Sequence, residues 1–139
     1  VVNEGLQDMN TKYFKGVSYS ASFFLGLITG PGSSTTYSAS DTLASHAGWT
    51  EFTNYSGARK AVTFGSASSA DPSVIATSSA VSFTISSSGG TVAGAFLCTV
   101  DSGTSGVLFS EADFQSPGDR VVVSGDTLNV TYTFSLNAA

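Results

Sequence analysis

Residues 120–136, "RVVVSGDTLNVTYTFSL", decide the fold class of this chain. From Thr127 onward the segment alternates: Leu128, Val130, Tyr132, Phe134 and Leu136 fall on one side, and Thr127, Asn129, Thr131, Thr133 and Ser135 on the other. Successive side chains of an extended chain point to opposite faces, so a period of two predicts a strand with one face packed and one in water. The preceding "RVVVS" (120–124) is β-branched, and Ser124-Gly125-Asp126 between the two runs predicts a tight antiparallel hairpin.

The same grammar extends toward the N-terminus. "AVTFG" (61–65), "VSFTIS" (81–86), "TVAGAFLCTV" (91–100) and "GVLFS" (106–110) are short, β-branched or aromatic, and separated by turn-forming residues. "SASFFLGLIT" (20–29) reads as a buried strand closed by the turn formers of "GPGSS". "WTEFTNY" (49–55) is expected to be extended and to expose aromatic rings on both sides, whereas "GSASSADPSVIATSSAV" (65–81) reads as a low-complexity loop within the domain. Residues 4–14 place Leu6, Met9 and Tyr13 at helical spacing, with Asn3 as a candidate cap and Gly16 as a stop, which predicts one short amphipathic helix.

Long helices do not alternate with these strands, so the parallel α/β classes fall away and an antiparallel sandwich or barrel remains. We expect an all-β antiparallel β-sandwich of jelly-roll type with a short N-terminal helix. Residues 1–139 are expected to form a single domain, with a helix or arm over 1–16 and the sandwich over 17–139.

Composition narrows the function. Charged residues are 11% of the chain against a usual quarter, while roughly 40 positions are Ser or Thr, so the surface is expected to be hydroxyl-rich. The net charge is −5 and the five basic residues are scattered, which leaves no footprint for nucleic acid. Arg59-Lys60, the one basic pair, is expected to be a solvated strand end. Apolar runs fall short of the roughly 20 residues a membrane-spanning helix needs. No basic segment followed by an apolar core opens the chain, so synthesis in the cytoplasm is expected, and the N-x-S/T matches at 54–56 and 129–131 are then accidents of composition.

"SDTLASHAGWTEF" (40–52) carries the only His and the only Trp, with Asp41, Ser45 and Glu51 beside them. Ser45 and His46 are adjacent, and neighbours on a helical turn do not face one another, so His46 is badly placed to activate Ser45. "GTSGV" (103–107) has the wrong spacing for a nucleophile elbow. The expected structure is a turn of helix capped by Asp41 and ended at Gly48, with His46 holding the loop by hydrogen bonds. Cys98, the only cysteine, lies in an apolar run and is expected to be a buried, inert thiol.

One His and one Cys match no zinc spacing. Asp101, Glu111, Asp113, Asp119 and Asp126 are oxygen ligands of the kind Ca²⁺ takes, but they lack a calcium-loop pattern. Glu51, Glu111 and Asp113 could serve glycoside hydrolysis only if folding brought two of them together. The residues therefore predict no enzyme, no catalytic residue, no cofactor and no metal.

Several blocks resemble a known family. "NEGL" near the N-terminus, "FFLGLITG", "SDTLASHAGWTEFTNY", "ARKAVTF", "AGAFL" and the closing "GDTLNVTYTFSL" together resemble the cement, or decoration, proteins of tailed bacteriophages, such as that of the Bordetella phage group. The resemblance spans almost the whole chain. It implies a structural jelly-roll protein on the outside of an icosahedral capsid, made in the host cytoplasm. Its partner would be the major capsid protein, whose subunits it bridges, with a homodimer at capsid two-fold positions. Tyr13, Phe14, Trp49, Phe52 and Tyr55 are the candidate contact residues, because interfaces favour aromatic side chains. The alternative is a tail-associated or lectin-like module for host surface carbohydrate, with Trp49 beside Glu51 or Asn54 as the platform.

Overall fold

A computed structural model describes residues 1–115 and 118–138. Among these residues there is one α-helix, α1 (Asn3–Phe14). Ten short strands follow: β1 (Phe23–Thr29), β2 (Glu51–Phe52), β3 (Lys60–Val62), β4 (Ser73–Ala76), β5 (Val81–Thr84), β6 (Gly90–Cys98), β7 (Leu108–Asp113), β8 (Arg120–Val122), β9 (Thr127–Val130) and β10 (Thr133–Leu136). Every pairing between them is antiparallel.

The two longest apolar runs build the centre. β1 pairs along its length with β6, placing Leu25 opposite Leu97 and Leu27 opposite Ala95. β2 and β3 share the other edge of β1, and β7 and β8 share the other edge of β6. Against this sheet packs a two-stranded ribbon in which β4 pairs β10 and β5 pairs β9. From Val130 to Thr133 the chain advances three residues while its partner spans five, from Val81 to Ala76; the Thr77 N–H still donates to Tyr132 O, so residues 78–80 bulge from the ribbon. Bridges Phe64↔Thr77 and Tyr55↔Ile85 tie the ribbon to the continuations of β3 and β2.

The central sheet is buried on both faces. Leu25, Leu27, Val92, Leu97 and Phe109 face the ribbon and meet Phe83, Ile85 and Val130. On the opposite face Ile28, Ala93, Phe96 and Leu108 are covered by Leu43 and Trp49 from the loop between β1 and β2, and by Val2 ahead of α1. Burying such a side chain is worth about 1.5–3 kcal/mol, so the loop is a third layer of the core. Burial on both faces also explains why "FFLGLIT" and "TVAGAFLC" are nearly unbroken apolar runs. Gly26 is required there: a Cβ would lie 2.2 Å from the Phe96 ring.

Several expectations are corrected. Ser124-Gly125-Asp126 does turn, with the Asp126 N–H donating to Val123 O, but the flanking strands do not pair with each other. β8 joins β6, while β9 joins β5, so the turn passes the chain from the sheet to the ribbon. The segment 65–81 contains a strand, β4, whose four residues are too few to show a period. Residues 42–47 make no helical turn; Thr42 and Ser45 bridge instead, and the Asp41 carboxylate accepts the preceding Ser38 N–H at 3.1 Å. The alternation over 127–136 holds as far as Phe134, after which Leu136 is exposed.

Candidate functional site

The candidate contact residues separate into two groups. Tyr13 and Phe14 are 80% and 78% exposed, whereas Trp49, Phe52 and Tyr55 are 5%, 4% and 6% exposed. The latter three belong to the core, which corrects the expected exposure of aromatic rings over 49–55. Buried in this way, Trp49 offers no face on which a sugar ring could stack.

The helix presents Leu6, Tyr13 and Phe14 outward because of how it docks. Gly5 lies against the β7 backbone so closely that a Cβ would be 2.4 Å from Phe109 O. Val2 donates its N–H to Phe109 O, Asn3 to Ala39 O, and Leu108 donates its N–H to the Glu4 carboxylate at 2.9 Å. Val2, Gly5 and Met9 therefore form the inward side, and Leu6 and Tyr13, which the spacing had placed inward with Met9, point to solvent. Asn3 is the first helical residue rather than the cap; Val2 holds that position without a side-chain bond. Gly16 follows the helix at φ +65°, the left-handed conformation expected of a stop.

Tyr13 and Phe14 meet edge to face with ring centroids 5.0 Å apart, and Val17 and Tyr19 continue the exposed apolar surface. Beside them opens a cleft of about 420 Å³ between the helix, the sheet and the ribbon. Met9, Phe23, Phe64, Ile75, Phe109 and Phe134 line it, and Tyr13 and Tyr19 form part of its wall. The charges there are internally matched: Lys12 pairs with Asp8 at 2.8 Å and its ammonium lies 4.7 Å from the Tyr19 ring centre. The surface is thus an aromatic ridge beside an apolar hollow with little net charge.

Comparison with protein-family models, curated proteins and solved structures finds no match. The chemistry of the chain rests on its own geometry.

Most of the polar residues singled out in the sequence hold the fold together. His46 stacks on Trp49 with centroids 3.7 Å apart, and its Nδ1 lies 3.1 Å from Trp49 O. The Ser45 N–H is bonded to Thr42, and the Trp49 indole N–H donates to Glu111 at 2.7 Å. Glu51 is on β2 and Glu111 on β7, with β1 and β6 between them. Three strand spacings put their backbones about 14 Å apart, and each carboxylate is engaged within its own half of the sheet, Glu51 by Arg59 and Glu111 by Trp49. Asp113 accepts from Tyr37 and Thr35, Asp119 from the Gly32 N–H, and Asp126 from the Val123 N–H. Among the described residues no three His, Cys, Asp or Glu side chains gather where they could hold a metal ion.

Arg59 overturns its expected solvated placement. It is buried over the Phe96 ring, grips Glu51 with two bonds of 2.9 and 2.8 Å, and donates to Val100 O and Gly103 O. The Glu51 carboxylate holds the guanidinium above its usual range against the opposing effect of burial. Cys98 is buried nearby, its Sγ 3.2 Å from Val100 O, and burial pushes its thiol up. Burial likewise pushes the Tyr55 phenol up to about 12. Sequence spacing gave no sign of the Arg59–Glu51 clamp, since charged neighbours on a short β segment look like surface residues.

Proposed function

We propose that this chain is a structural virion protein that binds the outside of an icosahedral phage capsid and stabilises it by bridging major capsid protein subunits. The observation that carries this reading is the exposed ridge of Leu6, Tyr13, Phe14, Val17 and Tyr19 beside the apolar cleft. Adjacent, nearly naked aromatic rings on a docked helix are unfavourable in water and are typical of protein interfaces. The buried polar groups, by contrast, are spent on holding loops and strands.

In this account the ridge seats on one capsid subunit while a second contact, from the dimer partner or an adjoining face, reaches the next. Once one contact is made the other becomes intramolecular, so modest contacts sum to firm attachment. Binding only the assembled shell then stabilises it by mass action. The jelly-roll description belongs to the same proposal: β1 beside β6, β5 beside β9 and β4 beside β10 are non-consecutive neighbours of the kind nested Greek keys produce.

Imaging purified virions tests the reading. Many symmetric copies on the shell, with the helix facing the capsid, are the expected result. A few copies confined to the tail would overturn it in favour of the tail-associated or carbohydrate-binding alternative.

A further inference from the structure

The loop that covers the outer face of the sheet is fastened to β7 by two carboxyl groups that cannot both be ionised and bonded to each other. Glu111 accepts the Trp49 indole N–H through Oε2, but its Oε1 is buried without a donor. The carboxyl of Asp41, itself buried, lies within hydrogen-bonding reach of Glu111. Ionised carboxylates only accept hydrogen bonds, so their contact is repulsive unless one proton lies between them. With that proton, the two carboxyls bond instead of repelling.

The surrounding charges do not provide another solution. From the loop, the Ser38 N–H donates to Asp41, Tyr37 is bonded to Asp113, and His46 meets the site only through the Trp49 ring. On β7 Asp113 adds a further negative group two residues along, and from α1 Glu4 is engaged by the Leu108 N–H. On β6 the residue opposite Glu111 is Phe96, and Cys98 near it is a buried thiol. Arg59, over the far part of this cluster, is committed to Glu51.

We propose that Asp41 and Glu111 share one proton and form a pH-sensitive latch: with the proton in place the loop around 36–49 is held tightly on the sheet, and loss of the proton lets it open more often. Release would uncover Ile28, Ala93, Phe96 and Leu108, which Leu43 and Trp49 otherwise cover. Burial, opposed by the Trp49 N–H and reinforced by Asp41, pushes the Glu111 carboxyl from 4.5 up to about 7. A carboxyl raised in the folded state contributes stability that is complete below its unfolded value and is lost as the pH rises through its folded value. The latch is therefore tightest in acid and loosens through neutrality.

Trp49 is the only tryptophan, which makes its fluorescence a direct probe. In the intact protein, loop amide exchange, corrected for intrinsic rate, should quicken about tenfold between about pH 5 and about pH 9, and Trp49 emission should change with the same midpoint near neutrality as its Glu111 partner ionises. Glu111→Gln supplies an amide donor to Asp41 and an acceptor to Trp49, and it should abolish both changes. Asp41→Asn should move the midpoint to lower pH. A flat wild-type profile overturns the proposal, as does a titration that survives in Glu111→Gln, which would place it on another group. Should the variants fail to fold, the Glu111 carboxyl carbon resonance of the wild-type protein decides: a midpoint near that of a free carboxyl overturns the latch.

Discussion

Gly5→Ala sets helix propensity against packing. On propensity alone the change should stabilise an interior helical position by about 1 kcal/mol. The structure predicts the opposite, because the new methyl group would lie 2.4 Å from Phe109 O and 2.8 Å from its Cα, and both atoms belong to a paired strand. Overpacking of this kind costs about 1–3 kcal/mol. If the helix moves away instead, it loses the bonds Val2 N–H to Phe109 O, Asn3 N–H to Ala39 O and Leu108 N–H to Glu4, each worth about 1 kcal/mol, and uncovers Val2. Either route leaves a net destabilisation of about 2 kcal/mol after the propensity gain. For a domain of this size that lowers the unfolding temperature by about 5–10 °C. Thermal unfolding followed by circular dichroism measures it, with Asn10→Ala on the exposed side of the same helix as the control for propensity. An unfolding temperature equal to or above wild type in Gly5→Ala would refute the docking argument.

Leu43→Ala should destabilise by about 2–5 kcal/mol in urea unfolding, as a core truncation does; a loss under about 1 kcal/mol would mean the loop is an appendage rather than a layer. Arg59→Ala should cost about 3–5 kcal/mol, because it strands the Glu51 carboxylate and the carbonyls of Val100 and Gly103; Arg59→Ala in a Glu51→Gln background should cost measurably less, and equal costs would remove the clamp from the account. Between about pH 4.5 and about pH 7, wild-type stability should fall as Glu111 ionises. The full shift would be worth about 3 kcal/mol, and partial exposure of Glu111 reduces the expected loss to about 1–2 kcal/mol. A slope unchanged in Glu111→Gln would contradict that assignment.

The all-β class, its antiparallel character and most strands were legible because alternation and turn residues are local signals. Leu128 to Phe134 alternate as a one-sided strand must. What could not be read depended on partners distant in sequence. The Ser124-Gly125-Asp126 turn has the chemistry of a hairpin, yet the exposed Val121 and buried Val122 of β8 are matched to β6, so the two sides of the turn part company. The helix misled for a physical reason: Gly5 contributes nothing to an apolar pattern but permits the closest approach, and it thereby sets which side faces inward. The "SDTLASHAGWTEF" loop shows the same limit, since nothing local indicates that Leu43 and Trp49 close the second face of a sheet. Of the candidate contact residues, Tyr13 and Phe14 lie on the surface, and the three aromatics of 49–55 are taken up by the core.

We propose that the helix ridge attaches this protein to a capsid. Purified protein should be added to shells that lack it, and bound copies counted by sedimentation for wild type and for a Tyr13→Ser, Phe14→Ser variant. Both rings are nearly naked in the free protein, so the variant should fold with an unchanged unfolding temperature. The account predicts saturable wild-type binding that raises the temperature at which shells open, and binding weakened at least about tenfold in the variant, the cost of losing about 1.4 kcal/mol or more at an aromatic anchor. Wild-type protein that does not bind shells, or a variant that binds them as tightly as wild type, would contradict it.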